Sequence, residues 1–125
     1  MAQEKGVSIN YSINSIKDFL YIENDFDAIG LFYSHMPPEV RESFHLNLIK
    51  SLKPGGALIL EGFEKDQLGR SSGGPKDPGM LYSIEMLAED FKTLKIIELK
   101  KEIVSLKEGK YHYGEAVVLR MFARK

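Results

Sequence analysis

The sequence has no cysteine among its 125 residues. This absence excludes disulfide scaffolds, cysteine-ligated zinc or iron–sulfur sites and cysteine nucleophiles. An excess of charge of either sign is also missing, because 17 basic and 18 acidic side chains leave a net charge of −1. No global positive field draws such a chain to phosphates, so we expect no nucleic-acid partner.

Targeting segments and long apolar runs are missing too. Residues 1–6 contain no apolar core of a secretory signal, and no later run approaches the ~20 apolar residues of a membrane span. We therefore expect a soluble, cytoplasmic protein with no membrane partner. The length predicts a single domain over residues 1–125, and an apolar content of 43% is ample for a core.

The first half of the chain has the pattern of a sheet with one crossover helix. Apolar and polar residues alternate strictly over 7–14, which predicts a strand buried on one face. Residues 26–33 and 57–63 are nearly continuously apolar, as in parallel strands covered on both faces. Between them, Pro37 and Pro38 begin an amphipathic segment, so the sequence predicts a right-handed βαβ unit.

The second half predicts a long loop, a helix and a hairpin. Residues 64–80 lack periodicity and are rich in glycine, serine and proline, and loops of this length are usually functional or disordered. Ser83 is placed to cap a helix. Residues 94–106 and 115–124 are joined by a connection too short for a crossover, so these two strands must be antiparallel. The sum is an α/β sheet, parallel except for its last strand.

Familiar nucleotide motifs are absent. The chain has no G-x-G-x-x-G and no G-x-x-x-x-G-K-[ST], and the glycines of residues 69–79 do not follow a strand at the spacing of a phosphate cradle. We therefore reject a P-loop. A hydrolase of the α/β type would need a G-x-S-x-G nucleophile turn, which is also missing.

Several local motifs nevertheless occur in a characteristic order. They are Phe-Asp-Ala-Ile at 26–29, Ser-His-Met-Pro at 34–37, Leu-Lys-Pro-Gly-Gly opening the segment 52–61, and the final hairpin. Together they resemble the class I S-adenosylmethionine-dependent methyltransferases. The resemblance is strongest to the tellurite-resistance type, through Gln-Leu at 67–68, Ser-Gly-Gly-Pro-Lys-Asp at 72–77 and the Glu-Gly…His…Gly turn at 108–114.

This resemblance implies a Rossmann-like methyltransferase sheet with an antiparallel C-terminal hairpin, S-adenosylmethionine as cofactor and a small-molecule methyl acceptor. In that family the cofactor lies on the first two of seven strands, with a glycine-rich loop after strand one and an acidic residue after strand two. The present sequence contains neither feature. It therefore looks like a truncated sheet, either a fragment or a degenerate relative, and we expect the chain alone to be inactive.

The resemblance also suggests residues of the site. His35 follows strand 26–33, where open α/β sheets bind ligands, and could accept a proton or orient a substrate. The alternative is a histidine that supports the Pro37–Pro38 turn. Tyr33 and Ser34 are candidates for contacting the amino-acid end of the cofactor, or else are a core tyrosine and a turn serine.

The remaining candidates concern the acceptor. Phe63 and Glu64 close the next strand, although a solvated loop carboxylate is the alternative for Glu64. Lys76, in a glycine-rich loop that could act as a lid, could meet an anionic substrate, unless the loop is inert. His112 is either a substrate contact or part of a structural turn, and His45 is expected on the helix surface. The three histidines and scattered carboxylates form no recognisable metal set, so no metal is expected.

A truncated sheet would leave strand 26–33 with a bare edge. Unpaired amides and carbonyls on an apolar strand favour pairing with another strand. Either residues 7–14 fold across this edge or two chains join, so we expect a homodimer or a domain-swapped oligomer. The competing hypothesis for function is a non-catalytic binding or assembly module that self-associates through the open edge.

Overall fold

Four strands form one mixed sheet in the computed structural model, which describes all 125 residues. The elements in chain order are β1 (Phe26–Phe32), α1 (Pro38–Ser51), β2 (Leu52–Phe63), α2 (Ile84–Asp90), β3 (Lys95–Lys107) and β4 (Tyr113–Arg124). The spatial order is β1-β2-β4-β3. Since β1 is parallel to β2, and β4 is antiparallel to both β2 and β3, the predicted sheet, parallel except for its last strand, is confirmed for these four strands.

The two helices begin as the sequence predicts. Pro38 occupies the first turn of α1, where its missing N–H has no intrahelical partner to lose. Ser83 caps α2, since its hydroxyl oxygen accepts a hydrogen bond of 3.2 Å from the N–H of Met86. Short 3-10 turns at Gln3–Lys5, Lys65–Gln67 and Pro78–Met80 complete the secondary structure. No helix combines the length and apolar character that crossing a lipid bilayer requires.

Both helices pack on the same face of the sheet. Their apolar side chains contact alternate residues of the strands, including Leu31, Leu58 and Leu119. The other face is open, with Phe32 61% and Ile59 43% exposed. The expectation that residues 26–33 and 57–63 are buried on both faces is therefore wrong, because no helix covers the second face. Only its end at Phe63 is buried, in a cluster with Leu81, Leu106, Ala116 and Val118.

An ion-pair ladder crosses the open face from β2 to β3. Arg120 Nε lies 2.6 Å from Glu61 Oε2, and its Nη1 lies 2.5 Å from Glu102 Oε2. Lys100 Nζ continues the ladder at 2.8 Å from carboxylates of both Glu98 and Glu102. This outer-face ladder gives the exposed surface a charged character in place of a second apolar layer.

Residues 7–14 do not form the predicted strand. None of residues 8–14 takes part in a backbone–backbone hydrogen bond, and the side chains of Tyr11 and Ile13 are exposed. Alternation describes which side chains share a face, but a strand also needs a partner for its ladder. The idea that this segment covers the edge of β1 is wrong for the same reason, and β1 is an edge strand.

His45 is buried rather than on the helix surface. It is 0% exposed, and its Nδ1 lies 2.8 Å from Asp90 Oδ2, which also accepts a hydrogen bond of 2.8 Å from Arg41 Nε. The expectation of a surface position is wrong because α2 packs across this side of α1. Burial lowers the pKa of His45 despite the neighbouring Asp90 carboxylate.

Candidate functional site

Three strand ends meet at one edge of the sheet. The carboxyl ends of β1 and β2 lie there because these strands are parallel, and the amino end of antiparallel β4 joins them. Val118 pairs with Phe63, so the first residues of β4 and the preceding turn extend beyond the end of β2. Here a cavity of about 250 Å³, the strand-end cleft, is lined by Tyr33, Phe63, Leu106, Glu108 and His112.

Tyr33 turns the chain at the end of β1. Its φ of 54° lies in the left-handed region, which costs a non-glycine residue about 1–2 kcal/mol. The hydroxyl donates a 2.6 Å hydrogen bond to Glu61 Oε1, and the ring lies 4.9 Å from that of Phe63. Burial, with a further contribution from the Glu61 carboxylate, raises the pKa of Tyr33, so its phenol stays neutral. Tyr33 therefore joins the cleft wall to the outer-face ladder.

His35 is held by the backbone on both sides of its ring. Its Nε2 accepts a 3.0 Å hydrogen bond from the N–H of Phe63, so Nδ1 carries the proton and donates to the carbonyl of Met80 at 2.7 Å. Burial lowers the pKa of His35. The neutral ring thus links β2 to the loop before α2, and accepting a substrate proton would require the bond from Phe63 to break. The catalytic role of His35 stays a prediction.

Tyr82 and Gly62 complete the packing around His35. Tyr82 stacks on His35 at 4.7 Å and donates a 2.7 Å hydrogen bond to the carbonyl of Ser34. A Cβ on Gly62 would lie 2.6 Å from the Tyr82 ring, so only glycine permits this approach. Burial raises the pKa of Tyr82 to about 12. Sequence reasoning missed Tyr82, because its partners are distant in the chain.

Ser34 offers two free polar groups beside the cleft. Neither its N–H nor its hydroxyl has a hydrogen-bond partner in the protein, whereas its carbonyl is bound by Tyr82. Ser34 lines neither the strand-end cleft nor the larger cavity described below. Ser34 therefore offers two free hydrogen-bonding groups at the end of β1, and the chain provides no further set of polar groups there that would enclose a whole S-adenosylmethionine.

Glu64 has a structural partner for its carboxylate. Its Oε2 accepts a 2.7 Å hydrogen bond from the N–H of Asp66 and lies 3.3 Å from Lys101 Nζ. The residue is only 9% exposed, so the alternative of a solvated loop carboxylate is wrong. Glu64 does not line the strand-end cleft, and its role as a substrate contact stays a prediction.

Gln67 anchors the long loop to β4. Its Oε1 accepts from the N–H of Val117 at 2.8 Å, while Nε2 donates to Ser72 Oγ and to the carbonyl of Gly73, each at 2.9 Å. Ser72 Oγ in turn donates to the carbonyl of Glu115 at 2.7 Å. Because Gln67 and Ser72 are buried, these bonds hold the loop against the sheet.

A second and larger cavity lies inside this loop. The loop cavity has a volume of about 680 Å³ and is lined by residues 67–71 and 73–76 together with Lys110 and Tyr111 of the hairpin turn. Lys76 is one of its walls. The two cavities are neighbours, since a Cβ on Gly73 would lie 2.6 Å from the ring of His112 and one on Gly74 would lie 3.0 Å from the ring of Phe63.

The structure thus brings together three of the predicted site residues, Tyr33, Phe63 and His112, in one cleft. His35 lies behind that cleft, and Lys76 belongs to the adjacent cavity. Glu61 was missed, although a lone carboxylate within an apolar strand was a usable signal. No three histidine, aspartate or glutamate side chains converge closely enough to hold a metal ion.

The sequence matches no protein-family model and no curated protein. Among solved structures, the chain is similar to TehB from Haemophilus influenzae, with a TM-score of 0.75 and 16% identity over 99% of this chain and 43% of that one. It is also similar to the N-methyltransferase NodS from Bradyrhizobium japonicum WM9 in complex with S-adenosylhomocysteine, with a TM-score of 0.65, 18% identity and coverage of 99% and 59%. For the [4+2]-cyclase SpnF the TM-score is 0.66, with 20% identity over 99% of this chain and 59% of that one.

These likenesses establish a Rossmann-like methyltransferase fold for this chain, as predicted. The chain spans about half the length of the structures it matches. One of these structures is an N-methyltransferase and another is a cyclase, so the fold alone does not decide the reaction.

Proposed function

We propose that this chain supplies the acceptor side of an S-adenosylmethionine-dependent methyltransferase that acts on a small molecule. The observation that carries the proposal is the strand-end cleft, in which Tyr33, Phe63 and His112 meet at the carboxyl ends of two parallel strands. Ligands of open α/β sheets bind at this edge. The similarity to an N-methyltransferase bound to S-adenosylhomocysteine supports the same reaction class.

In this proposal the residues of the chain position the acceptor. Tyr33 and Phe63 provide aromatic walls, and Glu108 and His112 provide polar groups in the same cleft. The donor would supply the methyl group, and because in-line transfer depends mainly on how the reactants are held, these residues would act by fixing the position of the acceptor. We also propose a relationship to the tellurite-resistance type, and only the sequence motifs at 67–68, 72–77 and 108–114 support it.

The donor would be held mainly by a segment outside these residues. Within the chain, the free N–H and hydroxyl of Ser34 are the groups that would meet the amino-acid end of the donor. We therefore expect the isolated chain to bind the donor weakly and to transfer no methyl group by itself.

A titration of the isotopically labelled chain with S-adenosylhomocysteine, followed by NMR, tests this arrangement. We expect weak binding with amide shifts concentrated at Tyr33 and Ser34, reduced in Ser34→Ala and unchanged in the control Ser43→Ala on the exposed side of α1. Shifts that avoid the end of β1 would contradict the proposal. Micromolar binding would contradict the proposal that most of the donor site lies outside this chain, and would indicate a complete cofactor site within it.

The alternative function is an assembly module that joins two copies through β1. The bare edge of β1, together with Phe32 at 61% exposure, favours it. Sedimentation velocity at micromolar concentration would then give a dimer. Phe32→Glu should weaken the dimer at least about tenfold, whereas Ile103→Glu, at 63% exposure on the opposite edge strand, should not. A compact monomer at that concentration would exclude this function.

A further inference from the structure

The loop cavity has walls of one charge sign. Arg70, Lys76 and Lys110 line it, and its other lining residues are uncharged. Among these cations, Arg70 has a carboxylate near it, with its Nη1 3.9 Å from Glu115 Oε2, while Lys76 and Lys110 have no ion-pair partner. A concave surface lined by cations concentrates the positive potential and attracts anions.

The loop backbone adds further donors. The N–H groups of residues 71–74 donate no hydrogen bond to any protein atom, although three of these four residues line the cavity. Gly73 and Gly74 have φ values of 105° and 94°, which glycine adopts without a Cβ penalty. Free amides beside cations make up the usual donor set for phosphate, sulfate and carboxylate oxygens.

One wall of the cavity is tied to the sheet, and the opposite wall packs closely against the loop. Gln67 uses its amide oxygen and nitrogen in bonds to β4 and the loop, so one side of the cavity is tied to the sheet. The other side is the hairpin turn, where the Tyr111 carbonyl would lie 3.0 Å from a Cβ on Gly73. A volume of about 680 Å³ lies within the range of small-molecule sites, which is roughly 300–1,000 Å³.

We propose that the loop cavity binds the anionic group of a small molecule, a phosphate, sulfate or carboxylate, through Lys76, Lys110 and the free amides of Ser71, Gly73 and Gly74. In the context of the proposed methyltransferase, on which this step rests, the acceptor is an anionic small molecule. Its charged end lies in the loop cavity and its body reaches past Gly73 and Gly74 into the strand-end cleft.

Anion binding by the isolated chain tests the cavity without any cofactor. Inorganic phosphate, titrated at low ionic strength and followed by NMR, should shift the amides of residues 70–76 and 110–111. Lys76→Ala and Lys110→Ala should each weaken binding about fivefold, the order expected for a partly exposed charge contact. Lys95→Ala removes the same charge at the far end of the β3–β4 hairpin and should have no effect. Equal losses in all three variants, or no saturable shift, would overturn the proposal.

A second titration distinguishes a site for free inorganic anions from a site for the charged end of a larger acceptor. Phenyl phosphate should bind more tightly than inorganic phosphate and should also shift Phe63 and His112. Phe63→Leu should abolish that advantage, so that the two probes bind the variant with equal affinity. Equal affinity of the two probes for the unaltered chain would overturn the link to the acceptor but not the anion site. Failure of donor binding in the S-adenosylhomocysteine titration would instead count against the methyltransferase.

Discussion

Replacing Asp90 with asparagine tests the buried contact between the two helices. The side chains of Asp90, Arg41 and His45 are 4%, 13% and 0% exposed, and both basic residues donate to the same carboxylate oxygen. Asp90→Asn keeps the shape but removes the charge, which leaves Arg41 without its main counter-ion and replaces the charged acceptor of both hydrogen bonds with a neutral amide oxygen. Breaking a buried ion pair on one side typically costs about 3–5 kcal/mol.

We expect a loss near the lower end of that range, about 3 kcal/mol, because Arg41 also lies 3.8 Å from Glu42 and can turn toward solvent. For a chain of this length the midpoint of thermal unfolding should fall by about 10 °C. Urea unfolding followed by circular dichroism measures the loss, provided the slope with denaturant stays unchanged.

Asp27→Asn is the matched control. Asp27 pairs with Lys53 at 3.3 Å, but the two side chains are 89% and 47% exposed, so its loss should be at most about 0.5 kcal/mol. A cost below about 1 kcal/mol for Asp90→Asn, or equal costs for the two variants, would refute the claim that the buried cluster holds α2 against α1.

Three further predictions concern the buried histidines and two closely packed glycines. Burial lowers the pKa of both His35 and His45, so below about pH 6.5 the unfolded chain binds more protons than the folded chain. The free energy of unfolding should therefore fall as the pH drops from about 7 to 5, by at most ~1.4 kcal/mol per pH unit for each histidine. Urea titrations of His45→Gln should show a shallower pH dependence. Gly73→Ala places a Cβ 2.6 Å from the His112 ring at a φ of 105° and should cost about 1–3 kcal/mol in the same assay. Gly62→Ala should displace Tyr82 and broaden the NMR signals of His35, whereas an unchanged spectrum would contradict the packing described for that ring.

The sequence was informative where local pattern determines structure. The α1 start at the two prolines, the cap at Ser83 and the antiparallel hairpin were all predicted from short-range signals, and the motif order predicted the fold. The alternation over 7–14 was correctly noted but misinterpreted, because periodicity cannot reveal whether a neighbouring strand exists. In the same way, continuous apolarity in 26–33 could not reveal that only one face has a covering layer.

The site was less predictable because its contacts are long-range. His45 meets Asp90 across 45 positions of the chain, and the Phe63 N–H that holds His35 lies 28 positions away. Neither spacing produces a local pattern. By contrast, strand direction alone brings the ends of β1 and β2 and the hairpin turn together, which is why Tyr33, Phe63 and His112 lie at one edge of the sheet.

The position of β1 at the border of the sheet has a measurable consequence for amide hydrogen exchange. A parallel strand directs successive N–H groups to alternate sides, and β1 has a neighbour on the β2 side only. Within Phe26–Phe32, every second amide should therefore exchange with deuterium far faster than those in between. Any molecule that docks along β1 would slow that fast subset, so deuterium uptake in this strand would report its arrival residue by residue.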